Sequence, residues 1–487
     1  MVESGASIKK KTQESFRWSL LGEIFAKLAT PLSTMVLARL LSPEIFGIAT
    51  AVTIIVTFCE AISESGFSKY IIQKDFSTDE EYYKHLRGAT SFSLIFSLLL
   101  MLAIILCNVP LSNFIGNAGY ESILIVSSLQ IPFTALNSVY LAHLKRNFKF
   151  KAVFFARIAY CLTPFVVTIP LSFFGLGPWA LVIGTIASQI VQAPIFVLLS
   201  KKIIKPTFEF KLIKNVIKGS YIMIIESIII WFCSWTSTFL ATQFFDADIV
   251  GIVKVSNSTV NSIFSLFSTS FTSVLFVSLS RLKNDERSYK DVFYSIQSAA
   301  FSVLVPLGIG SFFFSELVVL IFLGSGWMGA THFVGVYSIS FMITCCFNNF
   351  LSELFRSKGL FVHSIFYQIV MLFVDLIFKF TLGKISIDIY PYTNLMTNIV
   401  MTIIVLIIMN VKFELNLLSV LKNFMRTVLC SASMIPLLFS NKMINHTLFQ
   451  TAGIVVCCVC IYFCVSLIFN RKSLYNALQY LGVRKRR

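Results

Sequence analysis

Apolar segments long enough to cross a lipid bilayer follow one another along almost the whole chain, and nothing else in the sequence limits the fold so severely. A spanning helix needs about 20 mostly apolar residues, and within hydrocarbon its backbone polar groups have to be paired internally. Such runs lie near residues 17–40, 45–64, 88–107, 121–142, 152–174, 178–200, 220–244, 248–278, 294–314, 330–352, 361–381, 389–410, 424–440 and 448–469. They predict an all-α integral membrane protein of about 14 transmembrane helices. Composition excludes a soluble fold: 56% of the 487 residues are hydrophobic and mean hydropathy is +0.81. Only 13% are charged, against roughly 25% in an average globular chain.

A formal net charge of +17 would point to nucleic acid in a soluble protein. Here Lys and Arg stand at the ends of apolar runs, where they act as topology signals and contacts to anionic lipids, and no nucleic-acid partner is expected. A correct helix count puts the basic clusters in alternate connections. They fall there: Lys9 to Arg17, Lys69 to Arg87, Lys145 to Lys151, Lys201 to Lys218, Arg281 to Lys290, Arg356 and Lys358, Lys412 to Arg426, and the tail from Arg471. The opposite connections hold only Lys384 and Lys442. This alternation predicts cytoplasmic N- and C-termini. The lysine-rich start before a long apolar run without a small-residue cleavage site reads as a retained terminus rather than a signal peptide.

The chain also repeats itself. Leu40-Leu41-Ser42-Pro43-Glu44-Ile45-Phe46-Gly47-Ile48 aligns without gaps to Phe244-Phe245-Asp246-Ala247-Asp248-Ile249-Val250-Gly251-Ile252, and Phe208-Glu209-Phe210 pairs with Phe413-Glu414-Leu415 at nearly the same offset. Two six-helix lobes in the same orientation follow, because an even number of spans returns the chain to its starting side. The expected organisation is a cytoplasmic segment 1–16, an N-lobe 17–200, an interfacial linker 201–219, a C-lobe 220–410, a linker 411–423, two further helices in 424–469 and a basic tail 470–487. Transporters are commonly built from such repeats. In the first linker Lys211, Lys214 and Lys218 recur beside Phe210, Ile213 and Ile217, and the tail carries Leu474, Leu478 and Leu481 before four basic residues. Both read as amphipathic anchors in the headgroup layer.

Catalytic chemistry has little to rest on. The phosphate-binding pattern GxxxxGK[ST] is absent. His85, His143, His332, His363 and His446 are scattered, and no metal or cofactor is expected. Cys457, Cys458, Cys460 and Cys464 lie inside an apolar run, where they read as small hydrophobes in preference to a metal site or disulfide framework. The longest outer connection, from Phe313 to His332, holds one carboxylate, Glu316, and no Lys or Arg, which argues against a polymerase or ligase.

Charges within the spans are the informative residues, since each costs at least about 2.5 kcal/mol on insertion scales and usually faces a cavity or a partner. They are Glu23, Lys27 and Arg39 in the first run, Glu60 and Glu64 in the second, Arg157 in the fifth, then Glu226, Lys254, Asp375 and Lys379. Glu23 with Lys27 and Asp375 with Lys379 stand four apart, so each pair either neutralises itself on one helix face or serves ion coupling. Lys254, near Ser256, Asn257, Ser258 and Thr259, belongs to an unusually polar helix that favours a water-filled lumen over lipid. Lys27, Arg39, Arg157 and Lys254 form a candidate cationic vestibule for an anion such as a diphosphate. Glu23, Glu60, Glu64 and Asp375 are candidate ion-coupling or structural carboxylates. Pro31, Pro164 and Pro170 are expected to kink their helices.

Several blocks carry a family resemblance: Leu37-Ala38-Arg39-Leu40-Leu41-Ser42-Pro43-Glu44-Ile45-Phe46-Gly47, Glu64-Ser65-Gly66-Phe67 with Ile71-Ile72-Gln73, Leu144-Lys145-Arg146-Asn147-Phe148-Lys149-Phe150, and Gly175-Leu176-Gly177-Pro178-Trp179-Ala180-Leu181-Val182. With these the chain resembles the polysaccharide transport, O-antigen flippase-like family of the multidrug/oligosaccharidyl-lipid/polysaccharide exporter superfamily. The resemblance implies a MATE-like V-shaped bundle of two six-helix lobes plus two C-terminal helices, with Pro43, Gly47 and Gly66 as structural motif residues. It implies alternating-access translocation of an undecaprenyl-diphosphate-linked oligosaccharide across the bacterial cytoplasmic (inner) membrane; the protein is expected to work as a monomer. Anionic lipids and the polysaccharide polymerase and chain-length machinery are the expected partners. Arg39 lies within a matched block, whereas Lys27, Arg157 and Lys254 rest on position alone. A drug/cation antiporter of the same superfamily, working through the carboxylates with an H+ or Na+ gradient, is the alternative.

Overall fold

The computed structural model describes residues 5–73, 76–147, 149–200, 204, 206–207, 210–282, 285–436 and 448–480. Every regular element among them is helical. The long helices are α1 (Gly5–Leu40), α2 (Pro43–Gln73), α3 (Asp79–Leu106), α4 (Gln130–Arg146), α5 (Phe150–Thr163), α6 (Pro178–Ser200), α7 (Phe210–Phe244), α8 (Ala247–Arg281), α9 (Glu286–Phe313), α10 (Thr331–Ile343), α11 (Asn349–Ser357), α12 (Phe361–Phe378), α13 (Tyr390–Phe413), α14 (Leu417–Ala432), α15 (Leu448–Phe469) and α16 (Arg471–Tyr480). Among the described residues, 11 helical stretches are long and apolar enough to cross a membrane. Helices α7 and α15 also occupy the predicted positions 220–244 and 448–469, and α14 covers 424–432 of the run 424–440, whose last four residues lie outside the described ones; the count of fourteen spans goes beyond those 11. Lys442, His446, Phe208, Glu209, Leu481 and the terminal basic run lie outside the described residues, as do the side chains of Lys211, Lys214 and Lys218.

The chain divides into two compact units that meet in sequence between Lys254 and Val255, inside α8. In the first unit α2 packs on α4 and α7, α1 on α5, and α6 on α4 and α5. In the second, α9 packs on α10, α14 and α16, and α13 packs on α10 and α12.

Helix starts in the polar connections are set by side-chain caps. Thr78 Oγ1 accepts from Glu81 N–H (3.1 Å), Asp285 Oδ1 from Ser288 N–H (3.2 Å) and Asn416 Oδ1 from Ser419 N–H (3.3 Å), each satisfying a donor that the first turn leaves open. The hydrogen bonds from Ser288 hold the Asp285 carboxyl below its ordinary range. Between α4 and α5 the basic motif ties down helix ends. Arg146 Nη1 donates to Ile71 O (2.8 Å) while its guanidinium lies over Phe76 and Tyr82, and Lys149 Nζ donates to Ser200 O (3.2 Å). Cations are favourable there because terminal carbonyls are unpaired and carry the negative end of the helix dipole. Pro164 opens a π-helical turn, Pro164–Thr168, that interrupts the fifth span as expected.

The repeated sequence blocks meet each other. A Cβ on Gly47 would overlap the carbonyl of Ala247, and a Cβ on Gly251 would overlap the carbonyl of Pro43 and come within 3.0 Å of Gly47 N. Pro43 and Ala247 occupy equivalent places in the repeat, as do Gly47 and Gly251. The first turns of α2 and α8 therefore cross backbone to backbone in a reciprocal arrangement that only glycine permits. Gly47→Leu and Gly251→Leu should each lower stability by at least roughly 1–3 kcal/mol, seen as reduced membrane accumulation and a lower melting temperature. Gly310→Ala, where a Cβ meets nothing within 4 Å, should melt like the parent.

Candidate functional site

Three of the predicted residues converge in the first unit. Glu23 on α1, Glu60 on α2 and Arg157 on α5 line a cavity of about 530 Å3 that α4 and α6 complete with Thr134, Asn137, Gln189 and Gln192. Trp18, Phe150, Phe154, Tyr160 and Phe196 supply its apolar surface. With Lys145 also on the wall, the lining holds two cations and two carboxylates. The cavity is thus polar and balanced in charge.

Its geometry follows from helix register. Arg157 Nη1 meets Glu23 Oε1 at 2.5 Å, joining α5 to α1. Side-chain exposures of 40% and 46% hold the worth of this pair to about 1 kcal/mol or less. A guanidinium has five N–H donors, so one bond to Glu23 leaves others for a ligand. The spacing of Glu23 and Lys27 pointed to a pair on one helix face; the bridge across helices to Arg157 is the contact that spacing within a single helix does not reveal. Glu60 Oε1 accepts from Thr134 Oγ1 (2.7 Å). Asn137, only 3% exposed, donates Nδ2 to Gln189 O (3.0 Å) and Gln189 Oε1 (2.9 Å), while its own Oδ1 is buried with no hydrogen-bond partner in the structure. A buried amide oxygen without a donor is costly, and a bound hydrogen-bonding group would relieve it.

The other predicted residues stand elsewhere. Arg39 is exposed in the last turn of α1, where the helix dipole favours a cation. Lys27 is half-buried on α1. The Lys254 ammonium lies 3.5 Å from the ring centroid of Trp235, a cation–π contact that offsets desolvation. The side chains of Glu64 and Glu226 and the surroundings of Gly66 lie outside what the structure describes. Asp375, in the second unit, bridges Lys379 at 2.6 Å. Among the four candidate cations only Arg157 lines the cavity. Sequence reasoning centred on charge passed over Asn137, Gln189 and Gln192. Their signal was an amide set inside otherwise apolar helices, with Thr134 and Asn137, and Gln189 and Gln192, each three residues apart on one helix face. Trp235 gave no such signal.

Arg157→Ala strands the Glu23 carboxylate, so its membrane accumulation and melting temperature should fall below those of the uncharged double variant Glu23→Gln/Arg157→Gln. The gap should be about 1 kcal/mol or less at this exposure.

Comparison with known proteins agrees with this architecture. Residues 36–332 match the sequence model of a family described as "Polysaccharide biosynthesis protein". The chain is 21% identical over 325 residues to an uncharacterized membrane protein in the cps region of Klebsiella pneumoniae, covering 66% of each chain. It is 20% identical over 326 residues to the lipopolysaccharide biosynthesis protein WzxC of Escherichia coli K12, covering 66% of this chain and 65% of that one. It is 21% identical over 333 residues to the succinoglycan biosynthesis transport protein ExoT of Rhizobium meliloti, covering 68% and 66%. The fold is similar to that of a solved lipid II flippase, MurJ, in an inward closed conformation, with a TM-score of 0.78 at 15% identity over 94% of this chain and 99% of that one. An inward-facing multidrug MATE transporter gives 0.57 at 14% identity over 82% and 94%.

Proposed function

The chain belongs to the polysaccharide biosynthesis protein family, a multi-pass membrane transporter of the flippase type rather than an enzyme, and from that membership we propose a cargo and a route. The cargo is an undecaprenyl-diphosphate-linked oligosaccharide repeat unit. The route is alternating access across the bacterial cytoplasmic membrane, with both termini cytoplasmic, toward assembly of a surface polysaccharide such as O-antigen, capsule or exopolysaccharide. The observation that carries this reading is the family match across residues 36–332; a polar cavity inside the spans, lined from that region and from Trp18, Gly22 and Glu23 before it, accompanies it.

A transporter for such a cargo has to offer hydrogen bonds to sugars and cations to a diphosphate while the lipid tail stays in the bilayer. The first-unit cavity supplies the amides and a guanidinium, and Arg39 and Lys254 supply further positive charge along the chain. The rival reading, a drug/cation antiporter, needs carboxylates open to a cargo cation. Glu23 and Asp375 are already held in ion pairs, which favours the flippase.

Deletion of the gene in a strain lacking paralogues should leave lipid-linked repeat units on the cytoplasmic face and remove a surface polysaccharide. An unchanged surface glycan would sink the proposal. Arg39→Ala, Arg157→Ala and Lys254→Ala should each lower translocation of the lipid-linked glycan, measured at matched amounts of protein in the membrane. Unchanged transport in all three would remove the cationic residues from the account.

A further inference from the structure

Lys379 is 0% exposed and sits in the spans of the second unit, the costliest place for a charged amine. It opens a π-helical turn, Lys379–Gly383, that continues α12. Such a turn admits an extra residue and turns the side chains of the helix to new directions. At its far end Gly383 packs against Tyr390, where a Cβ would come within 3.2 Å of the ring. The absence of a side chain lets the end of α12 close on the start of α13.

The surroundings of the ammonium are more specific than a salt bridge requires. An ammonium has three N–H donors and no acceptor, and three oxygens receive them: Asp375 Oδ1 at 2.6 Å, Asn394 Oδ1 at 2.5 Å and Thr393 Oγ1 at 3.5 Å. The Thr393 hydroxyl donates its own proton to Tyr390 O (2.7 Å), so a lone pair is left for the lysine. Thr397 Oγ1 lies 3.3 Å from Asp375 Oδ1 and 3.0 Å from Thr393 O, two acceptors that share its one proton, and the Tyr390 ring centroid is 5.7 Å from Nζ. One negative charge, two neutral oxygens and an aromatic ring thus enclose a single positive charge. Oxygen ligands are what hard cations bind, and one carboxylate among neutral oxygens balances a single positive charge.

We infer that α12 and α13 enclose a monovalent-cation site whose permanent occupant is the chain's own Lys379 ammonium, with Asp375 supplying the charge and Asn394 and Thr393 the neutral oxygens. Asp375 is then the counter-charge of a resident cation and takes no ion from a transmembrane gradient. Shortening the lysine creates a vacancy of defined chemistry. Lys379→Ala removes three carbons and the ammonium, the dimensions of n-propylammonium.

The test uses the purified full-length protein and reads its melting temperature, so its outcome is separate from that of the proposed function. Lys379→Ala should melt lower by roughly 5 °C or more, the scale expected when one partner of a buried ion pair is removed. n-Propylammonium chloride or sodium chloride should restore at least half of the loss. Tetramethylammonium chloride at the same concentration, too bulky for the vacancy and without an N–H to donate, should restore none. The double variant Asp375→Asn/Lys379→Met, which lacks the charge that demands a cation, should give the same melting temperature in all three salts. The inference is overturned if Lys379→Ala melts like the parent, if the three salts act alike on it, or if the double variant shows the same salt selectivity. Should Lys379→Ala not accumulate, accumulation of the double variant is the expected result, and failure of both overturns the inference.

Discussion

A charge placed in hydrocarbon has to bring its solvation with it, and much of the interior organisation follows from that constraint. An isolated ammonium or guanidinium is expensive inside a bilayer, and three buried or half-buried cations in the spans meet the cost in different ways. Arg157 uses a carboxylate from another helix, Lys254 the face of an indole, and Lys379 three oxygens and a ring. All three arrangements join separate helices directly, α1 to α5, α7 to α8 and α12 to α13, so the same interactions that make the charges tolerable also set helix register. At the polar ends Arg146 and Lys149 perform the complementary task by capping carbonyls of α2 and α6. Arg146, Lys149, Arg157, Lys254 and Lys379 thus each serve a helix end or an internal partner.

Backbone proximity is the second organising element. Lipid provides no hydrophobic drive for helices to associate, so close packing at small residues carries much of the attraction. The reciprocal contact of Gly47 with Ala247 and of Gly251 with Pro43 places the two repeated sequence blocks against each other. It gives a physical reason for glycine at the eighth place of both repeated blocks.

The helix positions could be read from apolar length because the bilayer imposes it on each span independently of its neighbours. The starts of α3, α9 and α14 follow from Thr78, Asp285 and Asn416, residue types that cap helices locally. Contacts between helices were less accessible. Four-residue spacing left Asp375 and Lys379 open between a pair on one helix face and an ion-coupling role, and in the structure they are bridged. The same spacing suggested a Glu23–Lys27 pair, whereas Glu23 is bound by Arg157, more than a hundred residues away. Asn394 and Thr393 were equally invisible as partners of Lys379, since a periodic pattern along one helix carries no information about the face of the next. The cavity was foreseen as cationic from individual Lys and Arg positions, and the geometry instead unites Arg157 with two carboxylates and a set of amides.

What remains decisive is transport of the cargo itself. Purified protein reconstituted into liposomes carrying an undecaprenyl-diphosphate-linked oligosaccharide in the inner leaflet should bring the glycan to the outer leaflet, where an added glycan-modifying enzyme reaches it, faster than empty liposomes or liposomes containing Arg157→Ala. Equal rates with and without the parent protein, in vesicles where its folded state is verified, would contradict the account.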